Sequence, residues 1–323
     1  MNIDHIKKKL DLNISKVLTK VEGGNSTILK VETSTGSFVA IKLYKGLPDR
    51  INRMLNRELS AIRFLKTHNF RNIPEILEVQ NDLGLIIFKW IDGEIPKADS
   101  ASMESIINMC LDLYNLEKDG VYFENAVDSV FSIKEINDQV QERIYELSNL
   151  YISSIFDLLH LTLNAKLNQY KNAFVQNQIF SGTTLNISDL GTHNMLLEND
   201  SFSFVDFEFF GRDSIDKMVG DFLLHPRNEF NSDLILNFIN TISDKLSWNR
   251  TNLEALLPIL SLKWALIAFK RTLKEINIEN SKSENMALID NSVGMKYLEY
   301  FEILLSSKST GPISTFYQFT GRV

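Results

Sequence analysis

Cysteine is nearly missing from this chain: Cys110 is the only one in 323 residues. An internal disulfide is therefore excluded, and the composition suits a reducing, cytoplasmic setting. Cys110 sits among Ile106, Ile107, Met109 and Leu113, so it reads as a small buried hydrophobe. Positive charge is also in short supply. The formal net charge is -7, which argues against a nucleic-acid partner because such a partner calls for a basic patch. A neutral or cationic small molecule is compatible with that charge. His68, His160, His193 and His225 show no metal-ligand spacing of the His-Glu-x-x-His kind. The longest apolar stretch, Leu256 to Phe269, is interrupted by Pro258 and Lys263 and reads as too short to span a membrane. Met1 to Lys9 has no signal-peptide apolar region. There is no repeat at a solenoid period and no low-complexity tract.

What is present concentrates in one segment, Ile187-Ser188-Asp189-Leu190-Gly191-Thr192-His193-Asn194, followed by Val205-Asp206-Phe207-Glu208. Phosphoryl transfer needs a carboxylate to orient the attacking hydroxyl and oxygen ligands to hold magnesium on the phosphates. Asp189, Asn194 and Asp206 supply those groups in kinase order. Between them Met195 to Leu197, a polar turn Glu198 to Ser201, and Phe202 to Phe207 read as a hairpin. Strand alternation predicts Phe202, Phe204, Asp206 and Glu208 on one face. Two carboxylates on an otherwise apolar face are costly unless a cation joins them. The same residues also read as a plain loop with Asp and Asn as turn formers.

Upstream features narrow the choice. Gly23, Gly24, Asn25 and Ser26 precede a strand at Ile28 to Glu32, and a second strand runs from Phe38 to Tyr44. A glycine turn between strands lets backbone N–H groups approach a phosphate, although an ordinary hairpin turn has the same composition. Lys42 shares a strand face with Phe38, Ala40 and Tyr44. A helix is predicted from Arg50 to His68, with Ile51, Met54, Leu55, Leu59, Ile62 and Leu65 on one side. Glu58 falls inside that apolar arc. It needs a cation: Lys42 on the preceding strand, or Arg53 or Arg57 if the carboxylate lies at the domain edge. Leu85 to Ile91 reads as a buried strand ended by Asp92-Gly93. Beyond it the pattern is mainly helical: Met103–Glu117, Ile133–Leu150, Ile152–Asn172, Leu234–Leu246, Leu253–Asn277 and Ser292–Leu305. Glu279 to Glu284 reads as a solvated loop.

These residues resemble the aminoglycoside phosphotransferase and choline kinase group. Asp189, Asn194, Asp206 and Glu208 fall on the positions of that group's catalytic and metal-binding motifs, and the match runs from about Val21 to Lys270. The loop is most similar to a divergent branch carrying Ser-Asp-Phe-Gly-Phe-His-Asn. That branch also has segments like Asp206 to Gly211 and like Asp221-Phe222-Leu223-Leu224-His225-Pro226. The resemblance implies an α+β, bilobal protein-kinase-like fold with a small β-rich N-lobe (residues 1–91) and a large, mostly helical C-lobe (92–323). It implies Asp189 as the catalytic base, and Asn194, Asp206 and Glu208 at the metal. Gly23, Gly24, Asn25, Ser26, Lys42, Glu58, Lys89 and Ile91 would hold the nucleotide, with the backbone near Lys89 and Ile91 at the adenine edge. The cofactors implied are ATP and Mg, and the partner is a small-molecule hydroxyl acceptor such as a sugar, an amino alcohol or a surface-glycan precursor. One departure stands out: the group's His two positions before the catalytic Asp is Ile187 here. It leaves open a catalytically inactive kinase-like module that binds nucleotide or a partner protein. Asp216 and Asp221 are both candidates to anchor the catalytic loop; Asp221 is preferred because it begins an apolar helical run.

Overall fold

The computed structural model describes residues 14–150, 154–180, 182–275, 289 and 292–307. Met1 to Lys9 and Glu279 to Glu284 lie outside the described residues, as do the expected helix ends at Ile152 and Asn277. The chain divides into two compact units: one runs up to Lys97 and also contains Gly191–Phe210, and the other holds Ala98–Leu190 and the chain from Gly211 onward. The boundary expected after residue 91 therefore falls six residues later, and residues 191–210 group with the N-terminal unit. Backbone hydrogen bonds explain the second difference. Glu94 and Leu197 exchange both of theirs, at 3.1 and 2.8 Å, and Phe204 N–H donates to Asn72 O at 2.9 Å.

The first unit is built on a five-stranded antiparallel sheet, ordered β1-β2-β3-β5-β4. The strands are β1 (Ile14–Glu22), β2 (Ser26–Thr33), β3 (Phe38–Tyr44), β4 (Ile76–Gln80) and β5 (Leu85–Lys89). Leu29, Val31, Val39, Ile41, Leu85 and Ile87 form its buried core, as period-two alternation of β-branched and aliphatic residues dictates. Lys42 and Tyr44 lie on the other face, as does Ala40. Helix α1 (Pro48–Thr67) packs against β3. Pro48 starts it, where a missing N–H costs nothing, and its buried stripe is Met54, Leu55, Glu58, Leu59, Ala61, Ile62 and Leu65. Glu58 is the one carboxylate in that stripe. A second small sheet, β7 (Met195–Glu198) and β8 (Ser201–Phe204), turns through Asn199 and Asp200 at φ 46° and 63°, the geometry that two-residue hairpins favour.

The second unit is mainly helical: α2 (Ser100–Lys118), α3 (Ile133–Leu150), α4 (Ser154–Ala173), α5 (Ile215–Leu224), α6 (Ser232–Leu246), α7 (Thr251–Glu275) and α8 (Val293–Ser306). Side chains cap the starts of α2, α3, α5 and α6: Asp99 accepts from Ser102 N–H, Ser132 from Glu135 N–H, Ser214 from Lys217 N–H and Asn231 from Leu234 N–H. Strands β6 (Thr183–Asn186) and β9 (Gly211–Ser214) pair beside them. Helix α7 is packed on α3, α4, α5 and α8. The helix expected from Leu253 runs straight through Pro258. Residues Thr251–Leu273 are long and apolar enough to cross a membrane, yet 72% of the most apolar window is buried within the chain's own fold. Even Lys263 is buried there: Gln139 Oε1 accepts from its Nζ at 2.8 Å, and Asp128 Oδ2 lies 3.6 Å away. Helix α7 is thus a core helix of its unit.

Candidate functional site

In the first unit the predicted residues converge on one ammonium. Lys42 Nζ donates to Glu58 Oε2 at 2.5 Å and to Asp206 Oδ1 at 2.7 Å, and Glu208 Oε2 lies 3.3 Å away. Lys42, Glu58 and Glu208 are 3%, 1% and 2% exposed, so these charges act through little water. Tyr44 OH also donates to Glu58 Oε2. Arg57 donates to Phe210 O at 3.2 Å, and Lys42 supplies the cation that the helix geometry required of Glu58. Burial opposes the charged form of Lys42, but Glu58, Asp206 and Glu208 together hold its pKa above the usual lysine value. Burial, and then the neighbouring Asp206, push the Glu208 carboxyl up to about 7. Burial and Glu58 likewise raise Tyr44.

The glycine turn reaches the same cluster through Asn25. Its Nδ2 donates to Glu208 Oε1 at 2.7 Å, and its Oδ1 accepts from Arg50 at 2.7 Å. Gly23 N–H is taken by Ser26 O at 2.8 Å, and Ser26 itself is buried at the start of β2. A side chain at Gly24 would meet nothing within 4 Å, so a ligand can approach that backbone closely. At the end of β5, Lys89 N–H donates to Glu75 O at 2.9 Å and Trp90 N–H to Phe38 O at 3.4 Å. Lys89 therefore has no amide hydrogen for an adenine edge, and its side chain is exposed. Ile91 is half-buried just beyond the strand.

Strand alternation does not carry Asp206 and Glu208 to their places. Strand β8 stops at Phe204, and Asp206 takes φ 68°. This left-handed step, not a continuing strand, turns Asp206 and Glu208 toward Lys42. Asn194 is buried in a short turn, Thr192–Asn194, and its backbone O accepts from Val205 N–H at 2.9 Å. That bond ties the Asn194 turn to the segment carrying Asp206.

Asp189 belongs to the second unit. The loop rises to it through Ser188, held at φ 70° with its N–H on Asn186 Oδ1 at 2.9 Å. Ile187, two positions before Asp189, is 2% exposed and packs as a core residue. His225 Nε2 lies 2.9 Å from Asp189 Oδ1. Asn228 Nδ2 donates to Leu190 O at 3.1 Å and to Phe222 O at 2.8 Å. Neither expected aspartate does this. Asp221 sits in the last turn of α5, not at the start of a helix, and accepts from Lys217 at 2.6 Å. Asp216 is fully buried, and desolvation raises its carboxyl to about 7. Sequence reasoning missed Asn228 altogether. Its signal was the turn after α5, where Pro226 ends the helix and a polar side chain can satisfy the freed carbonyls.

Solved structures share this architecture. A choline/ethanolamine kinase family protein from Mesorhizobium loti superposes with a TM-score of 0.60 at 14% identity, covering 98% of this chain and 100% of that one. Choline kinase from Streptococcus pneumoniae gives 0.58 at 13%, with 92% and 98% covered. A spectinomycin phosphotransferase, solved with ADP and spectinomycin, gives 0.56 at 12%, with 99% and 98% covered. The fold is that of small-molecule kinases. No protein-family model matches the chain, and no curated protein matches it by sequence. Likeness at this identity establishes the kinase-like fold. Chemistry resides in the site's residues, not in the fold.

Proposed function

We propose that this kinase-like protein is an ATP- and magnesium-dependent phosphotransferase acting on a hydroxyl of a small molecule. The observation that carries the reading is the buried cluster around Lys42, where one ammonium faces three carboxylates. Carboxylates outnumber the ammonium three to one in a site whose members are nearly all buried. Glu208 Oε2 is buried with no hydrogen bond, although Lys42 lies nearby. Glu58, Asp206 and Glu208 place ligand oxygens within 4.8 Å of one another. An all-oxygen set with excess negative charge suits a hard divalent cation such as magnesium. A nucleotide phosphate would still need the lysine.

In this reading Asp206, Asn194 and Glu208 would hold magnesium, which would supply neutralisation of charge on the phosphate oxygens. Glu58 and Tyr44 fix Lys42, whose ammonium orients the phosphates. Asp189 would accept the proton of the acceptor hydroxyl as its oxygen attacks the terminal phosphorus and the bond from that phosphorus to the departing ADP oxygen breaks. Sugars, amino alcohols and glycan precursors are the acceptor classes to test. A second reading, a nucleotide-binding module without turnover, is favoured by one observation: a buried isoleucine stands where the family carries histidine.

Release of ADP from Mg–ATP, measured alone and with sugars, amino alcohols and nucleosides, separates the two. Asp189→Asn is expected to keep nucleotide affinity and to lose about a hundredfold or more of turnover, the scale of a lost general base. Nucleotide binding without turnover in wild type supports the module. Equal turnover in wild type and Asp189→Asn removes Asp189 from the chemistry.

A further inference from the structure

The turn after α5 grips the catalytic loop at two consecutive residues. Asn228 holds the carbonyl of Leu190, and His225 meets the carboxylate of Asp189. The turn is itself held. Asn228 N–H donates to His225 O at 3.1 Å, and Tyr297 OH donates to Leu224 O at 2.5 Å. His225 is 8% exposed and stands edge-on to Trp264, with ring centroids 5.2 Å apart.

The ring's two nitrogens have different partners, and this fixes the proton. Arg227 N–H donates to His225 Nδ1 at 3.2 Å, so Nδ1 must present a lone pair. The hydrogen of a neutral ring then sits on Nε2, 2.9 Å from Asp189 Oδ1, and the ring donates to an ionised aspartate. A doubly protonated ring would set two N–H groups against each other at Nδ1.

Resting on the kinase reading above, we propose that His225 is the positioning residue for Asp189, supplying from the far end of α5 the brace that Ile187 does not. As the neutral Nε2–H tautomer it orients one carboxylate oxygen of Asp189 without taking over the role of base. The loop needs such a hold because Ser188, a residue with a β-carbon, is kept at φ 70° just before it. Asn228 fixes the backbone of the same segment, so side chain and main chain are positioned by one short stretch.

Two measurements test this. In protein labelled with nitrogen-15 histidine, the ring signals that disappear in His225→Gln are those of His225. They are expected to show the proton on Nε2 and a lone pair on Nδ1. A ring protonated on Nδ1, or on both nitrogens, overturns the proposal whether or not the protein turns over ATP. Second, ADP release from Mg–ATP is compared in wild type, His225→Ala and His225→Gln. His225→Ala is expected to lower kcat about 10- to 100-fold, the scale of a slightly misplaced reacting group, with KM for Mg–ATP unchanged. His225→Gln keeps an N–H donor and should recover most of the rate, as should imidazole added to His225→Ala. If His225→Gln is as slow as His225→Ala, the ring matters for packing on Trp264 and the proposal fails. Wild-type rate in His225→Ala also overturns it. Absence of ADP release in wild type overturns the kinase reading, and the role of His225 in catalysis falls with it, while the tautomer result still stands or falls alone.

Discussion

Lys42 is the residue on which the first unit's charges depend. Replacing it with Met, close in shape but uncharged, would leave Glu58 and Glu208 buried without their cation. Breaking a buried pair from one side costs about 3–5 kcal/mol, so Lys42→Met should lower the urea midpoint markedly at pH 8. The loss should shrink as the pH falls and the carboxylates take up protons. Glu208 gives a second, signed prediction. Its carboxyl is raised from the ordinary 4.5 to about 7, by burial first and Asp206 next. Between those values the folded chain holds a proton that the unfolded chain has lost. Its contribution to the metal-free protein is therefore complete below about pH 4.5 and disappears as the pH rises through about 7. Glu208→Gln should flatten that part of a stability-against-pH curve; an unchanged curve would place the titration elsewhere. At this scale the sequence was most readable where periodicity and chemistry conflict. A glutamate in an apolar helical stripe demanded a cation, and Lys42 is that cation. His225 and Asn228 were not readable as loop anchors, because they lie more than 30 positions from Asp189 and Leu190 in sequence and no local period connects them.

Elements with a strong period were legible and those without were not. Strand β3 runs over the residues expected, and α3 likewise. Strands β1 and β4 went unread. They are the two edges of the five-stranded sheet and mostly exposed or half-buried, so they lack the alternation that marks a strand with a buried face. Helix α5 was placed too late because Gly220 interrupts its pattern. In the structure a β-carbon at Gly220 would come within 2.5 Å of Leu260 Cδ1, so the glycine admits α7. The kinase-like segment ending at Gly211 has a comparable cause. A β-carbon on Gly211 would stand 2.4 Å from Ala126 N, backbone that is itself held by Arg212 O at 2.9 Å. Gly211→Ala should destabilise by about 1–3 kcal/mol or more, as overpacking does, with β9 the first element to lose protection in hydrogen exchange. Normal stability and unchanged exchange in this variant would show that the neighbouring strand segment can yield.

For the whole molecule, the scarce cysteine provides a reporter. Cys110 is buried and its thiol is pushed up to about 12 by desolvation, so the reactive thiolate is scarce in the native state. Native protein should react with thiol reagents only through opening of the chain. Mg–ATP, binding the folded form, should slow that labelling by mass action, whereas Lys42→Met should lose the protection. Rapid labelling of native protein at pH 7 would mean that the helical unit opens locally around Cys110.

The excursion of residues 191–210 into the first unit has a consequence for how the chain is made. Synthesis proceeds from the N-terminus, and domains commonly fold as they emerge. Here the first unit cannot close when residue 97 leaves the ribosome, because the β7–β8 hairpin, Asp206 and Glu208 are still to come. Until about two thirds of the chain has been translated, Lys42 has only Glu58 and Tyr44 for company. Nascent chains stalled near residue 150 should therefore carry a first unit that proteases cut readily. Chains stalled far enough on to release residue 210 from the exit tunnel should resist cleavage there. The protein's N-terminal unit begins first and finishes late.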